Sequence, residues 1–85
     1  MHIAGVVVRT RPVSLAAVQQ RIEGLAGAEV HIVSPDGRLV VTVEGDDRRQ
    51  VADMIYQLDR LEGVLNASLA YEQSDYDPKQ PETTV

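Results

Sequence analysis

The chain has 85 residues, enough for one small domain, which at this size buries only about 60–65% of the surface its unfolded chain exposes and has little room for an internal pocket. It contains no cysteine, which excludes a disulfide framework and a thiolate metal site and agrees with a reducing compartment. A net charge of −5 and the absence of Phe and Trp argue against nucleic acid, whose binding needs a basic stripe for phosphates and aromatic platforms for bases; an acidic balance favours a basic partner instead.

Ile3 to Thr10 is a β-rich run, apolar on both parities: Ala4, Val6 and Val8 on one, Ile3, Gly5 and Val7 on the other. A strand apolar on both faces is usually central in its sheet. The apolar stretch Ile3 to Val8 has no basic residue ahead of it and no small-residue cleavage site, and it is far too short to span a bilayer. Neither a signal peptide nor membrane insertion is expected, and the expected location is the cytoplasm. Gly5 fits either local tolerance or a bulge, or the close approach of another backbone. Arg11-Pro12-Val13-Ser14 ends the strand and opens a helix, with Pro in the first turn, where its missing donor would be unpaired anyway. Leu15, Val18, Ile22 and Leu25 form the helical stripe, and Gly27 supplies the stop.

Glu29 to Ser34 alternates, with Val30 and Ile32 expected inward and Glu29, His31 and Val33 outward. Pro35-Asp36-Gly37-Arg38 is a turn: Pro presets φ and Gly takes the left-handed position. It joins this strand as a hairpin to Leu39–Glu44, where Leu39, Val41 and Val43 face the core and Val40, Thr42 and Glu44 face away. Asp46 and Asp47 are short carboxylates suited to capping a second helix. Its stripe is Val51, Met54, Ile55, Leu58 and Leu61, and Leu61-Glu62-Gly63 ends it. Val64 to Tyr71 is the last strand, with Val64, Ala67, Leu69 and Tyr71 expected toward the core and Asn66, Ser68 and Ala70 away from it. The parity slip between Val64 and Ala67 predicts an irregular entry. The acidic, proline-containing stretch that follows cannot bury enough apolar surface to offset its ordering cost. The folded domain is therefore expected over residues 1–72 and a disordered acidic tail over 73–85.

The order strand, helix, strand, strand, helix, strand predicts an α+β, ferredoxin-like βαββαβ sandwich: a four-stranded antiparallel sheet with two helices on one face. Its spatial order would be fourth, first, third, second strand.

Little in the chain is equipped for catalysis. His2 is terminal and expected to be mobile, His31 lies on the outer parity of an edge strand, and neither has a carboxylate or nucleophile at a motif spacing. Helix capping accounts for Asp46 and Asp47. No phosphate-binding glycine loop or zinc-ligand spacing occurs. No enzymatic activity, cofactor, metal or small-molecule substrate is expected. What remains is the outer sheet face: Ile3, Gly5, Val7 and Arg9, then Val40 and Thr42, then Ser68 and Ala70, then His31 and Val33, with Glu29, Glu44 and Glu72 around it. Small or β-branched side chains bordered by carboxylates would suit a helical peptide that is apolar along one side and basic at one end. The same residues also fit plain strand propensity or a dimer interface.

Several segments carry a resemblance. The first strand with its Gly5-Val6-Val7-Val8 core, Leu25-Ala26-Gly27-Ala28-Glu29-Val30, Gly37-Arg38-Leu39-Val40-Val41-Thr42-Val43-Glu44 and above all Leu61-Glu62-Gly63-Val64-Leu65-Asn66-Ala67-Ser68-Leu69-Ala70-Tyr71 are similar to the NapD family, the cytoplasmic assembly chaperones of periplasmic nitrate reductase. An acidic tail after that Tyr is also typical, and the resemblance covers about residues 3 to 74. It implies a ferredoxin-like fold whose sheet face binds, as a helix, the twin-arginine signal peptide of the nitrate reductase catalytic subunit, delaying export until the molybdenum cofactor is inserted. The residues expected to bind that peptide, chosen by parity, are Ile3, Gly5, Val7, Val33, Val40, Thr42, Glu44, Ser68, Ala70 and Glu72. Arg9 and Arg11 would repel a twin-arginine segment, so its basic end is expected toward Glu44 or Glu72. Two other readings share the topology. An amino-acid-binding regulatory domain wants a Gly-rich first turn, which Arg11-Pro12-Val13-Ser14 lacks. An acylphosphatase-like enzyme wants a Gly-rich anion loop with an Arg and a positioning Asn; Arg11 is present but the loop is not, and the only Asn is Asn66.

Overall fold

The computed structural model describes residues 1–74. β1 (His2–Thr10) leads through a 3-10 turn at Pro12–Ser14 into α1 (Leu15–Glu23); β2 (Ala28–Ser34) and β3 (Arg38–Gly45) form a hairpin; α2 (Arg48–Asp59) and β4 (Val64–Ser74) follow. The sheet runs β2-β3-β1-β4 with antiparallel pairing throughout, the split βαβ arrangement. β4 continues to Ser74, so the sheet extends beyond the expected domain end at 72. The rest of the expected tail, 75–85, lies outside the described residues.

The core lies on one side of the sheet. Ala4, Val6 and Val8 of β1 and Leu39, Val41 and Val43 of β3 are buried there against Val18 and Ile22 of α1 and Val51 and Leu58 of α2. Leu15, Leu25, Met54, Ile55 and Leu61 extend the helical stripes and pack around this cluster. Each helix ends as local chemistry dictates. Asp47 Oδ1 accepts from the Gln50 N–H at 2.9 Å and caps α2. Gly27 adopts φ +87 after α1, and its carbonyl accepts from the Glu44 N–H at 2.9 Å, tying the start of β2 to β3. Among the described residues no helix is long and apolar enough to cross a membrane.

Strand lengths do not match across the sheet, and the surplus is absorbed by bulges. β2 has one more residue than the stretch of β3 it faces, since Ala28 pairs with Val43 and Ser34 with Arg38; the register shifts between Val30 and Ile32, leaving His31 as the extra residue. β4 has 11 residues where β1 has 9, and its pairing with β1 shifts twice, at Leu65 and at Ala70. The first shift is the irregular strand entry. β4 is also an edge strand, and the N–H of Ala67 donates at 2.8 Å to Asp59 Oδ1 at the end of α2.

Because Leu39 is fully buried in the core, Leu39→Ala should lower the unfolding free energy by about 2–5 kcal/mol, read as a shifted midpoint in urea denaturation at unchanged slope.

Candidate functional site

Directly paired residues of antiparallel strands share a face, so the register maps the side of the sheet away from the helices row by row. At one end Ser34, Arg38, Arg9 and Asn66 line up across the four strands. The next row is Ile32, Val40, Val7 and Ser68, followed by Glu29, Thr42, Gly5 and Tyr71. Glu44, Ile3 and Gln73 close the other end. His31 joins them: its Nε2 lies 2.7 Å from Thr42 Oγ1. Val7, Val40, Ile3 and Thr42 are partly exposed, and Ile32 is 55% exposed.

Ile3, Gly5, Val7, Val40, Thr42, Glu44 and Ser68 thus stand together on the uncovered face. Ala70 is the bulge residue between Leu69 and Tyr71. Val33 and Glu72 are elsewhere. The bulge at His31 inverts the alternation of β2, so that Ile32 takes the outer face and Val33, paired with Leu39, looks toward the helices. The bulge at Ala70 does the same in β4. Glu72 pairs with Ala4 on the helix side, while Tyr71, expected in the core, emerges on the outer face opposite Gly5.

On the helix side Glu72 is already engaged. His2 Nε2–H donates to its Oε1 at 2.8 Å, and Arg48 Nε stands 3.6 Å from the same oxygen. His2 Nδ1 lies 3.3 Å from Ser74 Oγ. His2 is therefore not a mobile terminus: it is 6% exposed and fastens the end of β4 to the start of β1.

Gly5 is buried because the Tyr71 ring lies across it. A methyl group built on Gly5 would overlap Cε1 and Cδ1 of that ring and stand 2.8 Å from Cζ. The close approach is by an aromatic side chain, not a backbone, and the bulge beside it belongs to β4. Tyr71 remains 52% exposed, so the trough expected over Gly5 is occupied by a ring whose outer side is free. Parity reasoning missed Tyr71. The signal that could have found it is the glycine itself, since an aromatic residue on a neighbouring strand commonly covers a strand glycine.

Charge divides the face lengthwise. Arg9 and Arg38 lie side by side at one end, where like charges repel; Arg38 Nη2 is 3.7 Å from Asp36 Oδ2. Glu29 and Glu44, both exposed, occupy the other end.

Comparison with known proteins places this geometry. A family model described as NapD protein matches residues 1–76. The chain is 28% identical over 75 residues to Chaperone NapD of Escherichia coli K12, spanning 87% of this chain and 86% of that one. It is 25% identical over 75 residues to Chaperone NapD of Haemophilus influenzae, spanning 87% and 81% of the two chains, and 30% identical over 73 residues to that of Paracoccus pantotrophus, spanning 86% and 64%. A solution structure of the E. coli Tat proofreading chaperone protein NapD superimposes with a TM-score of 0.77 at 27% identity, covering 95% of this chain and 84% of that one.

The Gly5–Tyr71 contact makes a stability test. Gly5→Ala should destabilise the fold by about 1–2 kcal/mol in urea, because displacing the ring outweighs the roughly 0.5–1 kcal/mol that Ala gains over Gly in a strand. Most of that loss should vanish when Tyr71→Ala is added.

Proposed function

The chain belongs to the NapD family, and we propose that it is a non-enzymatic cytoplasmic chaperone that binds the twin-arginine signal peptide of the periplasmic nitrate reductase catalytic subunit. Binding would withhold the peptide from export until the molybdenum cofactor has been inserted. The relatives named as NapD chaperones support the chaperone role, and the solved relative carries the name of a Tat proofreading chaperone.

The observation that carries the reading is the uncovered face and its division of charge. Four strands spaced about 4.8 Å apart make a floor roughly 14 Å across, close to the 10–12 Å diameter of one helix with its side chains. Ile32, Val40, Val7 and Ile3 give that floor an apolar strip that the chain's own helices leave uncovered. A signal peptide folded as an amphipathic helix would cover the strip with its apolar side. Its arginines and positive helix N-terminus then belong at the Glu29 and Glu44 end, and its C-terminal carbonyls at the Arg9 and Arg38 end. Glu72, held by His2 and Arg48 on the opposite face, takes no part.

Titration calorimetry with a synthetic peptide carrying two consecutive arginines ahead of an apolar helical stripe tests this. Val7→Asp or Val40→Asp should weaken binding about tenfold or more without unfolding the domain, since a charge would be pressed against apolar side chains. Glu44→Gln should weaken it about two- to fivefold, the range of an exposed ion pair, and more if the pair is desolvated. Glu72→Gln should leave it unchanged. Unaltered affinity in both aspartate variants would rule out this face as the docking surface.

A further inference from the structure

The proposed function leaves open how one end of the face would distinguish arginine from any other cation. We infer that the ring of Tyr71, seated on Gly5, is a stacking platform for an arginine guanidinium of the bound segment and sets a preference for arginine over lysine. The inference rests on the peptide-binding reading.

Three observations converge on it. Tyr71 is held in place from below, because the glycine opposite leaves room for the ring and the bulge at Ala70 turns it onto the outer face. Its other side is open, as its 52% exposure shows. It also lies in the acidic half of the sheet: Glu29 shares its row, and Glu44 stands in the next row on β3, two strands from β4. An exposed aromatic face on the acidic half of the sheet suits a planar cation. A guanidinium can lie flat on the ring, whereas an ammonium stacks less well and lacks the planar fork. Two strand spacings amount to about 10 Å, so adjacent arginines on one helix can engage the ring and Glu44 separately.

The test uses the full chain with three versions of the synthetic peptide: two consecutive arginines, two lysines, or two glutamines at the same positions. With the arginine peptide, Tyr71→Leu should bind about two- to fivefold more weakly than wild type, and Tyr71→Phe should recover that loss because the ring is what matters. The wild-type preference for arginine over lysine should collapse in Tyr71→Leu, and the glutamine peptide should bind wild type and Tyr71→Leu alike. Wild-type protein needs no variant for a second readout: the δ-protons of one peptide arginine should move upfield in the complex through the ring current. An equal loss on all three peptides would reduce Tyr71 to an apolar contact. No loss in Tyr71→Leu, or no upfield shift, would overturn the platform while leaving the docking face intact. Failure of wild type to bind any of the peptides would overturn the proposed function and this inference together.

Discussion

Ala4, Val6 and Val8 of β1 interlock with Leu39, Val41 and Val43 of β3, and these side chains are wholly buried on the same side of the sheet. The helices pack on this side, and the alternation of the pleat fixes the facing of the remaining residues of these two strands. Once these positions point inward, Ile3, Gly5, Val7, Val40, Thr42 and Glu44 must point outward, because successive side chains take opposite faces. Among the described residues there are two α-helices, and both are spent on one side. The uncovered face therefore follows from the same packing that holds the domain together, and its apolar content comes from central strands that carry β-branched residues on both parities.

This is also why so much of the fold was legible in the amino-acid order and part of the site was not. The two central strands pair with each other without a register shift, so parity alone places every one of their residues on the correct face. Each edge strand has more residues than the stretch of central strand it pairs with. Where bulges absorb the excess depends on which residues end up opposite each other, and no single strand's sequence carries that information. In β2, Ile32 and Val33 are both β-branched and either could face inward, so the inversion at His31 left no trace in the hydrophobic pattern. In β4, Tyr71 continued the odd series of Ala67 and Leu69 and looked like a core residue until Ala70 interrupted the count.

The consequence for the candidate site is a redistribution of charge and aromatic surface. Moving Glu72 to the helix side removes one carboxylate from the border and assigns it a structural role with His2, 70 positions away in sequence. What it leaves behind is a simpler pattern, with arginines at one end, glutamates at the other, and an aromatic ring over Gly5 nearer the acidic end. The chain belongs to the NapD family and superimposes on a solved chaperone of that family.

The hydrogen bond from the Ala67 N–H to Asp59 bears on how such a sheet survives beside others like it. From Val64 to Tyr71 the outer strand carries no charged side chain, the kind of border to which a foreign strand can add itself. Asp59 plugs a donor in the middle of that border with a carboxylate. A newcomer must therefore give up registry at Ala67 or break a charge-assisted bond before it can zip on. A protein that leaves apolar residues uncovered on one side would thus be guarded along its rim against polymerising with its own kind.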